Sequence, residues 1–176
     1  MVNSLDLAVN SFIQSIQNPF LVKLMSYLTS LGDVQILLPL SIIIIAVLVY
    51  SKRYKHGAIA SLALILGISS SELLKYLIQR ARPENALMKL TDYSFPSGHA
   101  LMSTIFFFLL YFLYKENLKN KFRRKIFLSI CIILPILISF SRLYLNIHWL
   151  TDVIAGMIIG IFWALLFTRI DKNKNK

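Results

Sequence analysis

Three stretches of this chain hold side chains that could do chemistry. Lys75 is followed after six residues by Arg82-Pro83, Pro96-Ser97-Gly98-His99 form the second stretch, and Ser141-Arg142, His148 and Asp152 the third. Lys75, Arg82 and Arg142 are cations that call for an anion: a guanidinium grips oxyanions bidentately, and an ammonium acts as a point charge. Pro96-Ser97-Gly98 reads as a helix start, with proline in the first turn, serine as cap and glycine admitting close approach of a ligand. Amides at such a start attract anions. These features together point to a phosphoryl group. His148 and Asp152 are spaced i, i+4, so on a helix they are neighbours. A carboxylate there fixes the imidazole tautomer and stabilises the cation that forms on attack. His99 is a second imidazole, suited to protonate a leaving group. Taken singly, each feature has a bland reading: a satisfied helix-end histidine, a capped turn, interfacial snorkelling of Lys75 or Arg82. Their joint occurrence does not. The eight acidic residues are scattered and offer no magnesium or zinc cage, so no metal or cofactor is expected.

The elements that must carry these groups are membrane helices. Of 176 residues 57% are hydrophobic and 15% charged, with a mean hydropathy of +0.67, too few polar groups to solvate several long apolar runs. The spans are predicted over about 34–51, 57–78, 96–114, 126–145 and 148–168, with Glu72, Lys75 and His99 as costly ionisable groups at membrane depth. Pro39 and Pro135 should kink their spans, and Gly156 with Gly160 should let a neighbouring helix approach closely. Residues 1–32 alternate apolar with polar side chains and are expected to form one or two interfacial or re-entrant helices, in preference to a sixth span, which gives a six-helix core. The reading is therefore all-α: a polytopic membrane bundle in which residues 1–176 form a single domain, with no signal peptide and the oligomeric state left open. Cys131 lies in an apolar run and offers neither a disulfide framework nor a thiolate metal site.

The formal charge of +11 could suggest nucleic acid, but the basic residues lack the aromatic-interleaved groove that a single strand needs. They follow topology instead. Loop 52–55 holds three Lys and Arg, loop 115–125 six, and the tail (Arg169, Lys172, Lys174, Lys176) four. Alternating spans place these on one side, which the positive-inside rule makes cytoplasmic, together with the C-terminus. His56 falls among them and is expected to be a solvated loop residue. The three motif stretches then share the extracytoplasmic side.

The eleven specified residues of those stretches resemble, with intact order and spacing, the signature of the type 2 phosphatidic acid phosphatase superfamily. The likeness runs from about residue 72 to 152, the helical pattern extends it over most of the chain, and residues 1–30 add little. The resemblance implies an all-helical, metal-independent hydrolase. In it His148 would attack phosphorus, Asp152 would orient His148, and His99 would protonate the leaving group. Lys75, Arg82, Ser97, Gly98 and Arg142 would hold phosphate oxygens, and water would then release the phosphohistidine. Similar small bacterial proteins act on undecaprenyl diphosphate, phosphatidylglycerophosphate, phosphatidic acid or lipid A phosphates. An external site in a bacterial plasma membrane favours undecaprenyl diphosphate, by analogy. Two other readings stand beside this one. A lipid-phosphate binder or transporter would use the same cations without hydrolysis, and the superfamily also includes vanadium haloperoxidases, which hold vanadate in a similar site.

Overall fold

A computed structural model describes residues 2–173, with side chains as far as Ile170; Lys172, Lys174 and Lys176 of the basic tail fall outside that description in whole or in side chain. Seven α-helices and one 3₁₀ turn follow in order, with no strand among the described residues. They are α1 (Ser4–Ser15), α2 (Pro19–Ser30), α3 (Val34–Tyr50), α4 (Tyr54–Ile78), α5 (Gly98–Tyr114), the 3₁₀ turn (Lys115–Asn117), α6 (Lys121–Tyr144) and α7 (Leu150–Asn173). Five stretches are long and apolar enough to cross a membrane, the first of them Pro19–Tyr50, bent at Leu31-Gly32-Asp33.

Helix α5 sits between α4, α6 and α7 and carries the main core, in which Leu101, Ile105, Leu109 and Leu113 meet Leu48, Ala60, Ala63 and Phe167. Outward faces keep their apolar side chains, Ile43, Ile65, Ile133 and Ile158 among them, all more than half exposed. That pattern fits a bundle whose solvent is lipid. Gly156 and Gly160 make the α5–α7 approach: a Cβ on either would lie 2.5 Å from the Ser97 carbonyl oxygen or 2.7 Å from that of Leu101. Both prolines lie inside helices that continue past them. Each removes one i→i−4 bond, and near Pro39 the Ser41 hydroxyl donates to the Leu37 carbonyl at 2.6 Å.

The first two helices lie against the site end of the bundle. The backbone amide of Asn18, the α2 cap, donates to the Tyr144 hydroxyl of α6 at 3.3 Å, while Gly32 packs on Ile138. Ile138 and Tyr144 are six residue steps, about 9 Å, apart along α6, whereas the 12 residues of α2 cover about 18 Å, so α2 is inclined rather than upright. Ile13 and Met25 join Tyr144, Leu145 and Ile147 in a second buried cluster.

Candidate active site

The turns at one end of the bundle bring the motif residues together. Helix α4 ends at Ile78, with Gln79 left-handed as its cap, and delivers Lys75 in its last turn and Arg82 in the loop beyond. Ser97 caps α5 through its hydroxyl, so that Gly98 and His99 occupy the first turn; Pro96 precedes the cap instead of entering the helix. Arg142 is in the last turn of α6, and Asn146, in the left-handed region, reverses the chain towards α7. His148 therefore lies before α7, which starts at Leu150, and not inside it as the sequence spacing suggested. The reason is local. Asp152, at the third position of α7, accepts the Trp149 amide at 2.9 Å, one arm of a capping box, so the helix cannot begin earlier.

His148 is buried, and its Nδ1 meets two acceptors: the Ser94 carbonyl at 2.8 Å and, more distantly, Asp152 Oδ2 at 3.5 Å. A carbonyl only accepts, so Nδ1 carries the proton and Nε2 the lone pair. Nε2 faces Nη1 of Arg82 at 3.0 Å. Burial pushes the His148 pKa down to about 4, with help from Arg142 and Arg82 and against the pull of Asp152. The imidazole is neutral at pH 7.

Arg82 also donates to the Ile147 carbonyl at 2.6 Å and to Asp92 Oδ1 at 2.7 Å, and Lys75 donates to Asp92 Oδ2 at 2.8 Å and to Glu72 at 3.1 Å. Asp92 thus spans two of the three motif cations as a phosphate would. Burial favours its neutral form, but Lys75 and Arg82 outweigh that and hold its pKa at about 2. Arg142 is buried, donates to the Thr29 hydroxyl at 2.8 Å and lies within electrostatic range of both His99 and His148. Its Nε is a buried donor with no partner, and so is the Ser71 hydroxyl, 3.8 Å from where a Gly98 Cβ would stand. His99 Nε2 pairs with Asp33 Oδ1 at 2.8 Å.

Lys75, Gly98 and His99 line the polar end of a cavity of about 350 Å³ whose further wall is Leu37, Leu64, Ile68 and Phe106. Among the described residues no group of three or more His, Cys, Asp or Glu is arranged as metal ligands. His56, expected in a solvated loop, is instead half-buried in the first turn of α4, at the end remote from these groups.

Sequence reasoning missed Asp33, Ser71, Asp92 and the Ser94 carbonyl. Ser71 carried a signal, one helical turn before Lys75 on the same face. The other three lie in turns whose path no periodicity gives.

Known proteins resemble this chain over most of its length. The family model of the PAP2 superfamily matches residues 56–176. Phosphatidylglycerophosphatase B of Bacillus subtilis (strain 168) is 31% identical over 174 residues, 98% of this chain and 86% of that protein. Undecaprenyl-diphosphatase of Sulfolobus acidocaldarius is 31% identical over 158 residues, 85% of this chain and 70% of that protein. Among solved structures, the transmembrane PAP2 type phosphatidylglycerolphosphate phosphatase from Bacillus subtilis superposes with a TM-score of 0.87 at 30% identity, covering 96% of this chain and 85% of the other. Aquifex aeolicus LpxE gives 0.76 at 25% identity, over 95% and 96%.

Proposed function

This chain belongs to the PAP2 superfamily, and on that premise we propose that it is a lipid phosphatase working through a phosphohistidine on His148, with undecaprenyl diphosphate as its substrate and the monophosphate as its product. One observation carries the reading: one end of the cavity is polar, with Lys75 and His99 beside Asp33, Ser71 and Glu72, and its further wall of Leu37, Leu64, Ile68 and Phe106 is apolar, so a phosphate head and a hydrocarbon chain fit one continuous space. The exposed Val34 and Leu38 on its wall let it open at the lipid-facing surface of α3.

In this reading the substrate phosphoryl group displaces the Asp92 carboxylate between Lys75 and Arg82 and takes the spare donors of Arg142 and Ser71, while the first amides of α5 at Gly98 face it. Ser97 acts through its cap, by holding that turn. His148 Nε2 forms the bond to phosphorus as the bond to the leaving oxygen breaks, and His99 gives that oxygen its proton. A water then loses its proton to His99 and attacks the same phosphorus, which breaks the P–N bond, frees inorganic phosphate and restores both imidazoles. Transition-state charge falls to Lys75, Arg82 and Arg142, so no metal is required. The site faces the outside of a bacterial plasma membrane, and the C-terminus the cytoplasm, as the basic loops direct.

Phosphatidylglycerophosphate is the second reading, favoured by the match to a phosphatidylglycerophosphatase over 98% of the chain. Phosphate release from a panel of undecaprenyl diphosphate, phosphatidylglycerophosphate, phosphatidic acid and lipid A separates the two. His148→Ala should lose about 10³-fold or more in turnover; a variant that keeps its function would leave a non-hydrolytic lipid-phosphate carrier instead. Turnover should persist in EDTA and be inhibited by orthovanadate, which can take up the geometry of the transition state.

A further inference from the structure

The side chain of Asp6, on α1, has no exposure at all, and it lies 50 residues before the family match begins. A carboxylate so placed must be fully compensated. It receives Nη2 of Arg80 at 2.5 Å, the Thr151 amide at 2.9 Å, the Thr151 hydroxyl at 2.9 Å and the Asn3 amide at 3.4 Å. Arg80 is no part of the motif stretches, yet its other arm reaches Asp152 Oδ1 at 2.5 Å and the Thr151 hydroxyl at 2.7 Å. Its guanidinium also lies 5.7 Å from the ring centroid of Trp149, the residue after His148. One buried cation is therefore shared by two buried carboxylates, and the second of these, Asp152, stands directly behind the His148 imidazole.

We propose that Asp6 is a positioning residue for the reaction: by holding one arm of Arg80 and the first turn of α7, it fixes Asp152 and sets how much negative charge His148 feels, so that the N-terminal helix completes the site. This rests on His148 being the nucleophile. With Asp6 in place the cluster carries two negative charges against one positive. Without it, Arg80 and Asp152 neutralise each other, and the imidazolium that develops on attack loses its counter-charge. A guanidinium released from one carboxylate also swings towards the other, and a displacement of about 1 Å near reacting groups can cost about 100-fold in rate. If Asp6 only anchored α1 to the bundle, its loss would reduce the amount of folded protein but not the turnover of each folded molecule.

The test compares wild type, Asp6→Asn and Asp6→Glu in detergent, with kcat and KM measured on the lipid that wild type hydrolyses and normalised to the monodisperse folded fraction. Asp6→Asn is expected to lower kcat by about 10- to 100-fold with KM within about twofold, and to move the acid limb of kcat/KM to lower pH. Asp6→Glu keeps the charge but shifts the carboxylate by one methylene; it should lower kcat and leave the acid limb in place, and it supplies the answer if Asp6→Asn does not fold. Wild-type kcat per folded molecule in the variants, beside an active wild type, overturns the role of Asp6 alone. A wild type inactive on every lipid removes the phosphatase reading and this inference with it.

Discussion

A neutral imidazole attacks only through the nitrogen that carries no proton, and by accepting from Nδ1 the Ser94 carbonyl leaves that part to Nε2 of His148. Because burial lowers the pKa to about 4 from the ordinary 6.5, the lone pair survives as the pH falls through 6.5 and is lost only near 4. The acid limb of kcat/KM should therefore lie near pH 4, and a limb at 6.5 would show that His148 is not held in this environment. Asp92 supplies a second prediction. It competes with any oxyanion for Lys75 and Arg82, but its side chain is 47% exposed, and half-exposed ion pairs contribute little. Asp92→Asn should accordingly tighten inhibition by orthovanadate by about two- to fivefold. Weaker inhibition would mean that Asp92 organises the cations instead of occupying their place.

The pairing of α5 with α7 decides where the cap of α5 stands, since the Ser97 carbonyl lies on Gly156 and the Ser97 amide donates to the Asp152 carbonyl at 3.0 Å. A side chain at Gly156 must push this turn away, because the atom it meets at 2.5 Å is backbone and cannot rotate aside. Gly156→Ala should cost about 1–3 kcal/mol of stability and lower kcat, read as a fall in melting temperature in detergent alongside turnover. Unchanged values in both would mean that the helices are not so close. This contact was legible in the sequence from the spacing of Gly156 and Gly160, as were the five long apolar helices and the motif residues that their ends deliver. Helix α1 was legible as an amphipathic segment, but its tie to the site was not. Asp6 meets Arg80 and Thr151 across 74 and 145 residues, and a lone aspartate in a capping box looks the same whether or not its outer oxygen reaches another helix. The turn from Arg80 to Pro96 was hidden for a related reason: its path is set by backbone bonds such as the Ser94 amide to the Arg80 carbonyl, which leave no periodic trace.

Charge divides the molecule into two unlike ends. Six of the eight acidic residues (Asp6, Asp33, Glu72, Glu84, Asp92, Asp152) belong to the end that bears the site, against six cations there (Lys23, Lys75, Arg80, Arg82, Lys89, Arg142). The remaining thirteen Lys and Arg, with Glu116 and Asp171, belong by chain position to the other end, so the whole net charge of +11 resides there. An end held near neutrality by internal pairing can accept an anionic headgroup without being the side that the cytoplasm retains, whereas thirteen cations on short connections and a tail resist translocation. The orientation proposed above can be read in intact cells with a membrane-impermeant maleimide. Cys131 is buried within α6, so it should contribute little background. A cysteine at Glu84, beside the site, should label directly, and one at Lys119, in the basic loop between α5 and α6, only after the membrane is opened. The reverse pattern would place the cavity on the cytoplasmic side, where a carrier lipid exposed to the outside could not reach it, and would favour a phospholipid made on the inner leaflet as the substrate.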